Sequence, residues 1–293
     1  MPEITKNKLC LGSANFSMEY GITNKTKIYT LSELRNLLKF AVSSGITMID
    51  TARTYGKTEK RLGRADVRNF DIITKIKSIN SSHSENAIKV FIECSKRDLW
   101  IDKLYGLLLH SPNELLGNDG EAIANGLRRV RDQGIVQKVG LSIYGPENLD
   151  LIIKKFKPDI VQAPYNIFDQ RLLISGWAER LKTMGVEVHL RSVFLQGLLL
   201  LHPKKLPKKF EIWEDAFLRW YRFQQESNSS ATDLALGHCL SQKWADKIIV
   251  GVDSISQLEE LVSIKQLDIK LPQIFKSKLT DTRIIDPSTW MGL

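Results

Sequence analysis

The chain has 293 residues, of which 43% are hydrophobic and 26% charged, with a formal net charge of +9. That size and mix suit a soluble globular protein with a sizeable core, and they exclude a disordered or fibrous chain. No apolar run approaches the roughly 18–20 residues that span a bilayer, the start MPEITKNKLCLG carries no secretory leader pattern, and three widely spaced cysteines without a C-x-x-C pair read as free thiols, so a cytoplasmic protein is expected.

Short apolar runs alternate with amphipathic segments from the start. LCLGS (9–13) reads as a strand. Residues 31–45 read as a helix, with Leu31, Leu34, Leu37, Leu38 and Ala41 at helical spacing and Gly45 closing it. TMIDT (47–51) is a strand and EKRLGRA (59–65) a short helix; DIITK (71–75) is a strand and 84–100 a helix. YGLLLH (105–110) precedes a helix at 120–133, and KVGLSI (138–143) precedes one at 146–156 with Pro146 in its first turn. IVQAPYN (160–166) is followed by a helix at 170–184, VEVHLRSV (186–193) by a long connection and a helix at 231–244, and KIIVGV (247–252) by a helix at 256–264.

These are eight strand–helix units with no break in composition. Eight such units in about 265 residues predict a single-domain α/β fold over 1–293, a (β/α)8 TIM barrel. An open doubly wound sheet is the weaker alternative, since nothing marks a switch point. Two segments fall outside the repeat: an insertion at 194–230 and a tail at 266–293, both expected to border a substrate pocket.

The stretch IDTARTYGKTEKRLG (49–63) ends its middle in Gly56-Lys57-Thr58, as a phosphate-binding loop does. The first glycine such a loop needs is replaced by Thr51, and its neighbours are too bulky for a nest of amides. No two of the 18 glycines are spaced G-x-G, so a dinucleotide fingerprint is absent, and no Tyr is followed four residues on by Lys. The five histidines include no pair four apart and no H-E-x-x-H, so no metal site is expected. The lysines are scattered, and their densest cluster, HPKKLPKKF (202–210), is broken by two prolines. The positive charge therefore reads as a surface attracting phosphorylated small molecules; neither a nucleic-acid nor a membrane partner is expected.

Asp50, Lys75 and His110 each close an apolar run, at the ends of the second, third and fourth strands. In a barrel these ends meet at the C-terminal face, where reacting groups gather. A buried Lys needs a partner, and Asp50 on the adjacent strand can supply it. Tyr55 lies on the loop just beyond. A phenol is a poor acid at neutral pH, but an adjacent ammonium eases its proton transfer. Asp50 would fix Lys75, and a neutral His110 could orient a carbonyl oxygen. Singly, each residue is as well read as a helix cap, a surface aromatic or a core histidine; together they point to carbonyl reduction or its reverse.

With these residues in place, the sequence resembles the aldo-keto reductase superfamily. The matching elements are GITMIDTARTYG (45–56), IITK (72–75), LLLHSP (107–112), GLSIYG (140–145), VQAPYNIFDQR (161–171) and IIVGVDSISQLEE (248–260), in the family's order. The resemblance implies a (β/α)8 barrel that binds an extended nicotinamide dinucleotide without a Rossmann domain. It implies a catalytic tetrad of Asp50, Tyr55, Lys75 and His110, with Tyr55 as general acid. It implies cofactor contacts from Gly12, Ser13, Ser142, Gln162, Arg191, Ser192, Gln196, Gly197, Gly251, Asp253, Gln257 and Glu260. Phe16, Met18, Tyr20 and Trp213 are expected in the substrate pocket, with Trp220 and Trp290 as further candidates for its wall.

Three departures from the family pattern stand out. The Asn of a carboxamide-binding Ser/Asn pair is Ile143 here, so only Ser142 remains. Arg191 stands where an aromatic residue often stacks on the nicotinamide. Gln257 stands where many members place an Arg for the adenosine 2′-phosphate, with Asp253 nearby. NADP(H) is the family default, but a carboxylate suits a 2′-hydroxyl better. The expected substrate is a small-molecule carbonyl compound, a sugar or nucleotide sugar being the leading class. The alternative is a cofactor-binding barrel serving as a regulatory or interaction subunit; an intact tetrad argues against it. Oligomeric state is not legible.

Overall fold

A computed structural model describes residues 8–18, 21–22, 28–77, 84–267, 271 and 281–292. Eight parallel strands close into a barrel in chain order: β1 (Leu9–Gly12), β2 (Met48–Asp50), β3 (Asp71–Ile76), β4 (Leu104–Leu109), β5 (Val136–Ser142), β6 (Ile160–Pro164), β7 (Glu187–Arg191) and β8 (Lys247–Val250). Strand β1 pairs with β8, which completes the ring. The eight-unit reading of the sequence is thus the observed (β/α)8 architecture.

Helices cover the outside of the ring. The first, α1 (Leu31–Ser43), shows how local chemistry sets its limits. Thr30 accepts from the Glu33 amide while Glu33 returns a bond to the Thr30 amide, a reciprocal cap that satisfies two otherwise orphaned donors. Gly45, at φ 83, ends it in the left-handed region. Leu34, Leu37, Leu38 and Ala41 face the sheet and are buried, each leucine contributing about 1.5–3 kcal/mol of apolar transfer. Helices α2 (Thr58–Ala65), α3 (Ser84–Leu99) and α4 (Gly120–Asp132) continue the layer.

Three predicted helices differ from expectation, one of them the helix at 231–244, which stops at Leu240. The helix after β5 begins at Leu149 rather than 146, as α5 (Leu149–Lys155), because Asn148 takes φ 65 and Pro146-Glu147 lie in the turn before it. The helix predicted at 170–184 is two pieces, α6 (Arg171–Ile174) and α7 (Trp177–Thr183), split where Gly176 adopts φ 77. The insertion folds into three short 3-10 turns and α8 (Glu214–Glu226), followed by α9 (Ala231–Leu240); α10 (Ile255–Ser263) follows β8.

Three apolar clusters result. The largest lies between the barrel and its helices. The barrel interior is filled by Cys10, Met48, Ile73, Leu108, Ile160 and Ile249. Gly140 makes that packing possible: a Cβ there would sit 2.2 Å from the Ile160 carbonyl oxygen. The third cluster joins the insertion to the tail, with Phe210, Trp213, Phe217, Trp220, Ile284, Ile285 and Trp290 buried together. Among the described residues no helix is long and apolar enough to cross a membrane.

Candidate active site

The ends of β2 and β3 put Asp50 and Lys75 side by side, since Asp50 is in register with Ile73 two residues before Lys75. Lys75 is 1% exposed and Asp50 4%. The Lys75 ammonium donates to both Asp50 carboxylate oxygens, at 2.7 and 2.6 Å, and to the Thr51 carbonyl at 3.1 Å. Burial works against that charge, but Asp50 outweighs it and the Lys75 pKa ends up raised. Gln162, on β6, donates to Asp50 Oδ1 across the barrel mouth at 2.7 Å. Asp50 is therefore fully occupied holding the cation in place.

Tyr55 stands on the loop after β2, with the Lys75 ammonium 5.3 Å from its ring centroid. Its backbone is pinned: the Ser17 hydroxyl donates to the Tyr55 carbonyl at 2.7 Å, as does Thr58 at 2.7 Å. Gly56-Lys57-Thr58 therefore begins α2 and anchors this loop. Deeper down, Glu59 accepts from Thr74 at 2.7 Å and Arg53 at 3.1 Å, and Arg53 also reaches Asp98 at 3.1 Å. These bonds tie the Tyr55 loop to β3 and α3.

His110 follows β4 directly, its amide bonded to the Ile76 carbonyl at 2.9 Å. Burial first, then the positive charges of Lys75 and Arg191, lower its pKa to about 4. The imidazole is neutral across the physiological range, able to donate from one nitrogen and accept at the other. Among the described residues, the buried His110 Nδ1 and Gln162 Oε1 have no hydrogen-bond partner. Orphaned buried polar atoms of this kind ask for a ligand.

A cavity of about 270 Å³ reaches Asp50 and Tyr55, though not Lys75 or His110, and runs over the ends of β1, β7 and β8. Of the residues expected to bind a cofactor, Gly12, Ser13, Arg191, Ser192, Gln196, Gly197, Gly251, Asp253, Gln257 and Glu260 line it, together with Asp50 and Tyr55. Ser142 and Gln162 lie in register on β5 and β6, buried beside it rather than among the residues lining it. In the loop after β7, Ser192, Leu195 and Gln196 all take positive φ (61, 48 and 54). Such strain in non-glycine residues concentrates at ligand sites.

Arg191 lines the cavity with its guanidinium already engaged. Its guanidinium donates to the Ile143 carbonyl at 2.9 Å and to the Ser192 hydroxyl at 3.2 Å, and lies 4.8 Å from the Tyr144 ring centroid. Phe16 and Trp213, expected in the substrate pocket, do not line this cavity. Phe16 is fully buried with its ring edge-to-face on Tyr29 at 5.5 Å. Trp213 packs in the insertion–tail cluster and donates from its indole to Asp281 at 3.1 Å. Trp220 and Trp290 are buried in the same cluster. Met18 is 36% exposed and outside the cavity lining. Tyr20 lies outside the described residues.

Sequence reasoning missed Asn15, which donates to the Val252 carbonyl at 2.5 Å and to Asp253 Oδ1 at 2.7 Å, fixing the loop after β8. It missed Ser17 and Thr58 as anchors of Tyr55, and Phe194, Leu200 and Thr232 as cavity lining. Position just past the first strand was the available signal for Asn15 and Ser17. Among the described residues no group of three or more His, Cys, Asp or Glu side chains could hold a metal ion.

Comparisons with known proteins agree with this fold. The chain is similar to D-arabinose 1-dehydrogenase of Saccharomyces cerevisiae, 24% identical over 86% of this chain and 80% of that one. It is 30% identical to an aldo-keto reductase of Mycobacterium sp. (strain KMS), over 56% of this chain and 59% of the other. Among solved structures, an aldo-keto reductase of Bacillus halodurans in its holo form superimposes with a TM-score of 0.72 at 20% identity, over 92% of this chain and 91% of that one. A glycerol dehydrogenase of Gluconobacter oxydans does so with a TM-score of 0.66 at 19% identity, over 95% and 92%. The model of the aldo/keto reductase family matches residues 8–278, nearly the whole barrel with the Asp50, Tyr55, Lys75 and His110 mouth inside it, and the chain belongs to that family.

Proposed function

We propose that the protein is an NAD(P)H-dependent reductase of an aldehyde or ketone, with Tyr55 donating the proton. The observation that carries this reading is the buried Lys75–Asp50 pair, at 2.6 Å, set beneath the Tyr55 ring. The bound dinucleotide would supply a hydride to the carbonyl carbon. Tyr55 gives its phenolic proton to the carbonyl oxygen, and the Lys75 ammonium stabilises the phenolate that remains. Asp50 keeps that cation from turning to solvent. Neutral His110 donates a hydrogen bond to the same oxygen and places the carbonyl against Tyr55; a protonated imidazole would compete as an acid.

The chain's own groups suit a nicotinamide dinucleotide. Gln162 Oε1, a buried acceptor without a partner, matches a carboxamide NH2, and Ser142 stands in register beside it. Gly12, Ser13, Ser192, Gln196, Gly197 and Gly251 would carry the ribose and phosphates along the cavity. Arg191 bridges β7 to the loop after β5 and would border the nicotinamide edge.

The substrate class we favour is a sugar or other polyhydroxy carbonyl compound. Its support is the pair of names among the similar proteins, a D-arabinose 1-dehydrogenase and a glycerol dehydrogenase. The edge of the insertion at Phe194 and Leu200 would shape that end of the site. Absorbance at 340 nm with a panel of aldoses, ketoses, simple aldehydes and sugar nucleotides tests the reading. Oxidation of the reduced nicotinamide that depends on one of these carbonyls is expected. Cofactor binding without turnover on any of them would favour a non-catalytic subunit instead.

A further inference from the structure

The reacting carbon of the cofactor must sit at Tyr55, so the adenosine half must occupy the opposite end of the cavity. That end is built by the loop after β8 and the first turns of α10: Asp253, Gln257, Glu260 and Leu261. Its charge is one-sided. Asp253 and Glu260 are carboxylates, and among the described residues lining the cavity Arg191 is the single Lys or Arg. Arg191 is turned the other way, bonded to the Ile143 carbonyl after β5.

The start of α10 does not compensate. An open helix N-terminus attracts phosphate through its free amides. Here the Gln257 amide donates to Ser254 Oγ at 3.1 Å, and the Asp253 amide donates to Gln257 Oε1 at 2.7 Å. Two of the backbone donors a phosphate would use are already taken, one of them by the Gln257 side-chain oxygen. The Asp253 carboxylate is also fixed: Asn15 donates to its Oδ1 at 2.7 Å, and Asn15 and Tyr29 both bond the adjacent Val252 carbonyl, at 2.5 and 2.8 Å. A carboxylate held this way is ready to accept from a hydroxyl and repels a phosphate.

We propose that this cavity selects NAD(H) over NADP(H), with Asp253 as the specificity-determining residue accepting a hydrogen bond from the adenosine ribose 2′-hydroxyl. The inference rests on the reductase reading above and departs from the NADP(H) default implied by the family resemblance. In NADP(H) the 2′-phosphate would lie against the carboxylates of Asp253 and Glu260, and among the described residues lining that end of the cavity there is no Lys or Arg to offset them.

Titration of the purified chain with NADH and with NADPH, followed by quenching of its tryptophan emission, tests this without a substrate. The dissociation constant for NADPH should exceed that for NADH by at least about tenfold, equivalent to about 1.4 kcal/mol. Asp253→Asn keeps an oxygen for Asn15 and removes the charge. It should lower that ratio about tenfold while leaving the thermal melting curve close to that of the parent. Equal or tighter binding of NADPH by the parent, or an unchanged ratio in Asp253→Asn, would overturn the selectivity while leaving the reductase reading standing. Failure of both dinucleotides to bind would overturn both.

Discussion

Replacing Lys75 with Met tests the foundation of the site. The methionine fills similar volume but removes the cation from a carboxylate that is 4% exposed. Asp50 loses two bonds of 2.7 and 2.6 Å and keeps the one from Gln162 at 2.7 Å. Breaking a buried pair this way, and leaving its partner charged, costs about 3–5 kcal/mol. That is a large share of the roughly 5–15 kcal/mol that holds a domain folded. At roughly 2–4 °C per kcal/mol for larger domains, the melting temperature should fall by about 6–20 °C. Urea unfolding followed by tryptophan emission measures the loss as a lower midpoint with an unchanged slope. The double variant Asp50→Asn with Lys75→Met should be more stable than Lys75→Met alone, because it removes the stranded charge. The sign with pH is also fixed: the pKa of Lys75 is raised in the fold. Its contribution is fully present below about pH 10.4, the unfolded value, and is lost as pH rises through the folded one. A Lys75→Met protein within about 0.5 kcal/mol of the parent, the range of ordinary surface changes, would refute this reasoning.

Other consequences can be checked separately. NMR titration of the His110 ring should find a midpoint near 4, because burial and then Lys75 and Arg191 hold its pKa down; an ordinary midpoint near 6.5 would contradict the electrostatics of the mouth. Since folding disfavours that proton, His110 should also add to stability between its two midpoints as pH rises, and the benefit should fade as pH falls towards 4. Gly140→Ala should cost about 1–3 kcal/mol in urea unfolding, the usual penalty of overpacking, since its Cβ would sit 2.2 Å from the Ile160 carbonyl oxygen; a neutral effect would mean the barrel interior yields more than its packing implies.

Much of the fold was legible because it is periodic. Apolar runs ending in Asp50, Lys75 and His110 are visible in one dimension, and a barrel brings the ends of successive strands together. Asn148 and Gly176 were not legible as breaks, because hydrophobic spacing runs through them while their backbones turn left-handed. Asn15, Ser17 and Arg53 act on residues far along the chain or through geometry that no local pattern encodes. Phe16 and Trp213 show the converse limit. An aromatic near a strand end or in an insertion reads the same whether it walls a pocket or fills a core, and these two fill cores.

Tyr55→Phe tests the central claim most directly, because it removes one hydroxyl and leaves the ring over Lys75. With any carbonyl substrate found on the panel, kcat should fall by about 10²–10⁴, the worth of a positioned general acid, while the dissociation constant for the reduced dinucleotide stays near that of the parent. A Tyr55→Phe protein that turns over at close to the parent rate would show that the proton comes from elsewhere, and the account of this site would be wrong.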